Sequence, residues 1–289
     1  MTVLYEDNHI IAVNKTCNEI VQGDKTGDEP LSETVKAYIK DKYNKPGEVF
    51  LGVTHRLDRP TSGVVLFART SKALTRLNEM FKEKSENPSR HLKGGAADSA
   101  KQENTAHAKP SIRKTYWAIV QGKPKMAEAR LENWLVRNEK QNKSYVVSPP
   151  KTSSEADKTS EYTSKAGKAS EYSSKAGIAS EYSSKAGKGG KDAKVAILSY
   201  RTLAVGENYS LLEINLETGR HHQIRCQLAA IGCPVKGDLK YGAKRSNPDG
   251  GICLHARKIE FEHPVSHEEI CITAPVPNDK LWQSLTQTH

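Results

Sequence analysis

Short apolar strands alternating with amphipathic helical spacings predict an α/β (α+β) fold for this 289-residue chain. Three observations carry that prediction. Val3-Leu4-Tyr5 and Ile10-Ile11-Ala12-Val13 flank the turn residues Glu6-Asp7-Asn8-His9, as in a β-hairpin. Leu31, Val35 and Ile39 recur every four residues, as along one helix face. Val64-Val65-Leu66-Phe67 is an unbroken apolar run after a turn-rich loop, which suits a buried strand.

The elements follow in order. The hairpin spans residues 2–14 and the first helix residues 31–43. The loop Thr54–Gly63 leads into a strand over 64–68. Thr70-Ser71 caps a helix running to about Lys84, with Leu74, Leu77 and Phe81 on one face. Lys114 to Val120 is a strand with an aromatic pair, Tyr116-Trp117. Val195–Leu198 with Tyr200 forms another strand, and Tyr209–Ile214 the next. Gly219 is expected to open a helix in which Ile224, Leu228 and Ile231 recur, with Gly232 as its stop. Cys253–Ile272 is strand-like, with Ile259-Glu260-Phe261-Glu262 alternating.

Two stretches break the pattern. Residues 85–112 are polar and Gly/Ala/Lys-rich, as in a flexible insertion. In 151–194, Ser160-Glu161-Tyr162, Ser170-Glu171-Tyr172 and Ser180-Glu181-Tyr182 recur every ten residues. That period is too short for a helical solenoid and reads as a low-complexity insertion. The domain expectation is therefore one catalytic domain over 1–289 with two insertions.

Net charge is +10 and hydrophobic content 36%. A basic surplus favours an anionic partner, nucleic acid before membrane. No stretch approaches the roughly 20 apolar residues of a membrane span. The start, MTVLYEDNHIIAVNK, lacks a basic region followed by an apolar one, so no signal peptide is expected. Five cysteines stand at 17, 226, 233, 253 and 271 without a CxxC, which suits reduced thiols in the cytoplasm and argues against a metal site.

Two motifs carry candidate chemistry. Thr54–Gly63 places Asp58 between Arg56 and Arg59. Such a carboxylate is either a nucleophile or a turn cap, and the loop alone leaves both open. Glu217–Arg225 places Gly219-Arg220-His221-His222 at a helix start, where donors can meet an anion. Arg225 is either a structural ion pair or a partner that orients Asp58. Tyr116 is either core or a base contact.

In order and content, HRLDRPTSG, KTYWAIV, ETGRHHQIR, IGCPVKGDLKYG and LHARKIEFEHP resemble the RluA-type pseudouridine synthases of the RluA/RsuA family, without an S4 domain. The opening VLYEDNHIIAVNK resembles the start of that family's catalytic domain. The resemblance covers nearly all of the chain outside the two insertions. It implies the pseudouridine synthase catalytic fold, a mainly antiparallel mixed sheet with flanking helices and loops and a cleft across it. It implies an isomerase that converts uridine to pseudouridine in structured rRNA or tRNA, by base flipping and an Asp58-dependent covalent mechanism. Catalytic roles then fall to Asp58, to Tyr116 against the target base, and to Arg225 paired with Asp58. RNA-binding roles fall to Arg56, which fills the vacated space, and to His55, Arg59, Arg220 and His222. No cofactor and no metal are called for, and the expected state is a cytoplasmic monomer.

The chain departs from the family pattern TGRTHQIR by an extra histidine, read at His222 where the family has Thr. Cys226-Gln227 replaces Val-His, from which altered RNA contacts are expected. The fold begins at about residue 2, so RNA contact is expected from the catalytic domain itself. Two other readings compete. A binding protein of the same fold that has lost catalysis fits poorly with intact Asp58, Tyr116 and Arg225. A hydrolase using Asp58 would need a second carboxylate, and the loop has none.

Overall fold

The structure is a computed structural model that describes residues 1–24, 26–86, 112–149 and 192–287. The expected insertions at 85–112 and 151–194 lie largely outside the described residues. No helix among the described residues is long and apolar enough to cross a membrane.

The elements in chain order are β1 (Thr2–Glu6), β2 (Ile10–Lys15), α1 (Leu31–Lys42), β3 (Gly52–Val53), β4 (Ser62–Ala68), α2 (Ser71–Glu86), β5 (Arg113–Gln121), β6 (Glu128–Asn138) and β7 (Lys143–Val147). Then come β8 (Lys194–Val205), β9 (Tyr209–Leu216), α3 (Gln223–Ala230), a 3₁₀ turn at Leu239–Tyr241, β10 (Leu254–Glu262), β11 (Glu269–Thr273) and α4 (Lys280–Thr286). Among the described residues, eleven strands join one sheet in the order β1-β2-β4-β10-β5-β9-β8-β6-β7, with β11 on β10 and β3 on β4. Every pairing is antiparallel except β4 with β10. The sheet is therefore mainly antiparallel and mixed, as expected.

Local chemistry explains the early elements. Asp7 Oδ1 accepts from the His9 and Ile10 amides at 2.7 and 2.8 Å, which closes the β1–β2 turn. Thr70 Oγ1 accepts from the Ala73 amide at 3.2 Å and caps α2. Alternation then sends the two faces of β2 and β4 to different cores. Ile11, Val13, Val65 and Phe67 pack with Leu31, Val35 and Ile39 of α1. Ile10, Ala12, Val64 and Leu66 pack with Ala73, Leu77 and Met80 of α2. The apolar run at 64–67 is unbroken because both faces are covered.

Gly63 makes the parallel β4–β10 contact possible. Its φ is +114°, and a Cβ there would collide with the Ala256 backbone. That pairing brings the end of the Asp58 loop against β10.

Three parts differ from expectation. Cys253–Ile272 is a hairpin, β10 and β11, rather than one strand; it bends at His263, whose Nδ1 accepts from the Ser266 amide at 2.8 Å. The helix expected from Gly219 begins at Gln223, because Thr218 to His222 form a loop tied to side chains rather than to a helical ladder. The strands β6 and β7 and the helix α4 had no counterpart in the sequence reading. The stop at Gly232 holds: its φ is +80°, and the Cys233 amide reaches back to the Leu228 carbonyl at 3.0 Å.

Candidate active site

The Asp58 loop is fastened from several sides. Gly52 and Val53 pair with Ala68 and Phe67, and the next two side chains continue that ladder. Thr54 Oγ1 donates to the Leu66 carbonyl at 2.6 Å, and His55 Nε2 accepts from the Leu66 amide at 3.1 Å. The turn closes when the Thr61 amide donates to the Asp58 carbonyl at 3.0 Å. The Asn18 and Ile252 amides donate to the carbonyls of Arg59 and Pro60, each at 3.0 Å.

Beneath the turn lies Lys15, which is fully buried. Its Nζ donates to the carbonyls of Thr16, Arg59 and Thr61 at 2.9, 2.9 and 2.7 Å. All three ammonium protons are thus used. Burial pushes its pKa down to about 8, against the raising effect of Glu19 and other nearby charges including Asp58. Lys15→Met should leave two of these carbonyls without a donor and cost about 2–4 kcal/mol in urea unfolding. The same variant should lose activity as the turn that aims Asp58 loosens.

The second motif is a self-tied loop. Gln223 Oε1 accepts from Thr218 Oγ1 at 2.8 Å and from the Arg220 amide at 3.0 Å, while its Nε2 donates to the Ile197 carbonyl at 3.0 Å. His222 takes a left-handed φ of +50° just before α3. These ties bring Arg225 to Asp58.

Arg225 joins two carboxylates. Its Nε and Nη2 donate to Asp238 Oδ2 and Oδ1 at 2.6 and 2.8 Å, and its Nη1 donates to Asp58 Oδ2 at 3.0 Å. Asp238 is 1% exposed, whereas the Asp58 side chain is 32% exposed. Burial opposes the Arg225 charge, but the hydrogen bond and charge of Asp238, with those of Asp58, raise its pKa further. Asp238 therefore sets the guanidinium, and the guanidinium sets Asp58.

His222 completes the support. The Ser144 amide donates to the Tyr241 hydroxyl at 2.8 Å, and that hydroxyl shares a hydrogen bond with His222 Nδ1 at 3.0 Å. His222 Nε2 faces Asp58 Oδ2 at 3.4 Å. Burial and the Arg225 charge push the His222 pKa down to about 2, so the imidazole is neutral at neutral pH. Both contacts fall on Oδ2, and among the described residues Oδ1 accepts no hydrogen bond. One oxygen is anchored, and the residue lines the cleft.

The cleft has a volume of about 920 Å³. It is lined by the Asp58 loop, Phe81 of α2, Lys114 of β5, Arg137 and Asn142 at the β6–β7 turn, Gly219–His222, Arg225 and Lys240. Seven Arg or Lys side chains line it against two Asp, so it suits a polyanion.

The site residues expected from sequence fare differently. Arg56 lines the cleft, is exposed and makes no hydrogen bond among the described residues. His55 lines it too, but its Nε2 is committed to Leu66. Arg220 lines it with Nε donating to the Val195 carbonyl at 2.9 Å. Arg59 lines the cleft, and its guanidinium also meets Asp28 Oδ2 at 2.6 Å and Thr26 Oγ1 at 2.8 Å. His222 lines it too, at 8% exposure, with Nε2 3.4 Å from Asp58 Oδ2. Counted back from Gln223-Ile224-Arg225, the extra histidine of the motif is His221, whose ring stacks on His222 at 3.8 Å. Gln227 is a correction: it is fully buried and its Nε2 donates to Asn133 Oδ1 at 2.7 Å, so it ties α3 to β6 and cannot alter RNA contacts directly. Tyr116 is 7% exposed, belongs to the main core and is absent from the cleft lining. Burial and the Asp58 charge raise its pKa, so its phenol stays protonated at neutral pH.

Sequence reading missed Lys15 and Asp238. Each had a signal: a lysine ending an otherwise apolar strand, and a single acid in the GDLKYG turn.

Three histidines make the fold acid-sensitive. Burial, with the Arg225 charge, lowers His222 to about 2; burial, with Lys114, lowers His55 to about 3; burial, with Arg257, lowers His255 to about 4. Below about pH 6.5 the unfolded chain binds protons that the folded chain does not, so stability falls as pH falls. The expected slope is up to about 1.4 kcal/mol per pH unit for each histidine between about pH 6 and 4. Urea midpoints measured across that range check it.

Comparison with known proteins places this geometry. The family model described as RNA pseudouridylate synthase matches residues 9–91 and 95–230. An RNA pseudouridine synthase of Synechocystis, itself uncharacterized, is 29% identical over 96% of this chain and 66% of its own length. The tRNA pseudouridine synthase C of Vibrio vulnificus is 28% identical over 99% of this chain and 94% of its own. The ribosomal large subunit pseudouridine synthase D of Vibrio cholerae is 25% identical, and the match covers 99% of this chain and 70% of that protein. The chain thus spans about two thirds of the length of some of these relatives. Human RNA pseudouridylate synthase domain containing 4 shares the fold, with a TM-score of 0.64 at 19% identity over 97% of this chain and 90% of that one. With the family model matching most of its length, the chain belongs to the RNA pseudouridylate synthase family.

Proposed function

We propose that this chain isomerises uridine to pseudouridine in structured ribosomal or transfer RNA, with Asp58 as the attacking group. The observation that carries the proposal is the position of Asp58: it lines a basic cleft while its Oδ2 is held by Arg225 at 3.0 Å. Family membership and the similarity to tRNA and ribosomal pseudouridine synthases support the substrate class.

A paired uridine cannot present its glycosidic bond, so it is flipped out at a cost of roughly a few kcal/mol. Arg56, exposed at the cleft, is suited to fill the vacated space by stacking and hydrogen bonding. Asp58 forms a covalent adduct with the nucleotide, and the bond between N1 and the ribose breaks. The uracil turns, a bond forms from its C5 to the ribose, and the adduct is released. C5 gives up a proton and N1 gains one, so the reaction balances without cofactor or redox partner. Tyr116, protonated and close enough to Asp58 to feel its charge, would meet the target base only once RNA binding uncovers its phenol from the core. Arg220 and His55 contribute to RNA contact along the wall. The chain acts as one catalytic domain over 1–289, as a monomer in the cytoplasm; its described cysteines are free thiols.

Pseudouridine mapping of total RNA from cells with and without the gene tests this. Discrete sites should vanish with the gene. An unchanged map would contradict the proposal.

A further inference from the structure

We infer that Lys114 is an anion anchor in the cleft wall, and that its ammonium takes a backbone phosphate of the RNA strand carrying the target uridine. The inference rests on the reading above that the cleft receives RNA.

Lys114 sits near the start of β5 and lines the cleft while half-buried. Its Nζ lies 5.2 Å from the centre of the Phe81 ring. A Cβ added at Gly219 would stand 3.6 Å from Nζ, so the glycine leaves the approach to the amine open. Among the described residues Nζ has no hydrogen-bond acceptor and no carboxylate partner. The contrast is Lys15, whose three protons all meet carbonyls.

The neighbours do not compensate the charge. His55 accepts from the Leu66 amide, and burial pushes its pKa down to about 3, so it is neutral. Arg220, next to Gly219 in the chain and also on the cleft, has the same sign. Burial pushes Lys114 down to about 8, so the ammonium is held at a cost in the unliganded protein. Buried charges are ordinarily paired, and an unpaired one in a cleft marks a place that a ligand completes. In an RNA-binding cleft the matching group is a phosphate, which lysine takes as a point charge.

The test uses the full chain as wild type, Lys114→Met, Lys114→Arg and Asp58→Asn, with an RNA stem–loop carrying uridines in its loop as the probe. Lys114→Met should bind about tenfold more weakly, and its logarithmic salt slope should shrink by about 0.7–0.9, the value of one phosphate contact. Its melting temperature should equal or exceed wild type, because an uncompensated buried charge is gone. Lys114→Arg should keep the slope, and Asp58→Asn should keep both affinity and slope. An unchanged slope in Lys114→Met overturns the anchor. So does a lowered melting temperature shared by the Met and Arg variants, which would make Lys114 a structural residue. Wild type that binds the probe but modifies no RNA overturns the functional reading and leaves the anchor standing. Wild type that modifies RNA beside an unchanged Lys114→Met slope does the reverse.

Discussion

Asp58→Asn is expected to lower pseudouridine formation by at least about a thousandfold while the protein stays folded and binds RNA. An amide in place of the carboxylate cannot attack, and removal of a nucleophile typically costs several orders of magnitude. The fold should tolerate the change. Asp58 is partly exposed, and Arg225 keeps both of its bonds to Asp238. The turn also survives, because its ties run through the carbonyls of residues 58–61 and not through the Asp58 side chain. Turnover measured on RNA from cells lacking the gene, beside a melting curve, checks this. Activity within tenfold of wild type would remove Asp58 from the chemistry.

Asp238→Ala should have the largest effect on stability. It strips the buried Arg225 of two bonds and leaves a guanidinium whose remaining partner is the half-exposed Asp58. Breaking a buried pair from one side costs about 3–5 kcal/mol, because the other charge is left uncompensated. Arg225→Met should cost a similar amount, since it leaves Asp238 buried without its cation. The double variant Arg225→Met/Asp238→Leu should lose less than the sum of the two, because no lone charge remains. Urea unfolding of the four proteins measures the cycle. Additive losses, or a loss below about 1 kcal/mol for Asp238→Ala, would show that the pair does not act as a unit. Activity should fall in all three variants: the two without Arg225 no longer hold Asp58 Oδ2, and Asp238→Ala removes the two bonds that set the guanidinium holding it.

Much of this was legible in the sequence. The Asp58 loop and Arg225 stand in dense motifs, and their meeting from opposite halves of the chain follows once both are placed at one cleft. The hairpin β1–β2 and helices α1 and α2 were legible because their apolar spacing is regular, helped by Asp7 in the hairpin turn and Thr70 at the start of α2. Strands β6 and β7 were not. Glu128–Asn138 carries Glu, Arg and Asn along most of its length, and only Leu135 within it is fully buried, so the apolar alternation is faint. Helix α4 is only seven residues long, and its signal is a single cap, Asp279, whose Oδ1 accepts from the Leu281 amide at 2.9 Å.

The roles of Lys15, Asp238, His222 and Gln227 were hidden for another reason. Each is a polar residue whose partners are distant in sequence: carbonyls across 44 and 46 positions for Lys15, and Asn133 across 94 for Gln227. A sequence shows the donor but not the acceptors that surround it. Polarity therefore suggested RNA contact for Gln227, where the structure has core.

The proposed attack of Asp58, anchored through Oδ2 by Arg225, on uridine in RNA is open to direct test. The most direct measurement incubates purified wild type and Asp58→Asn with total RNA from cells lacking the gene and counts the pseudouridine formed. Wild type should restore pseudouridine at discrete sites, and Asp58→Asn should restore none. Equal restoration by both proteins, or none by wild type, would contradict the account.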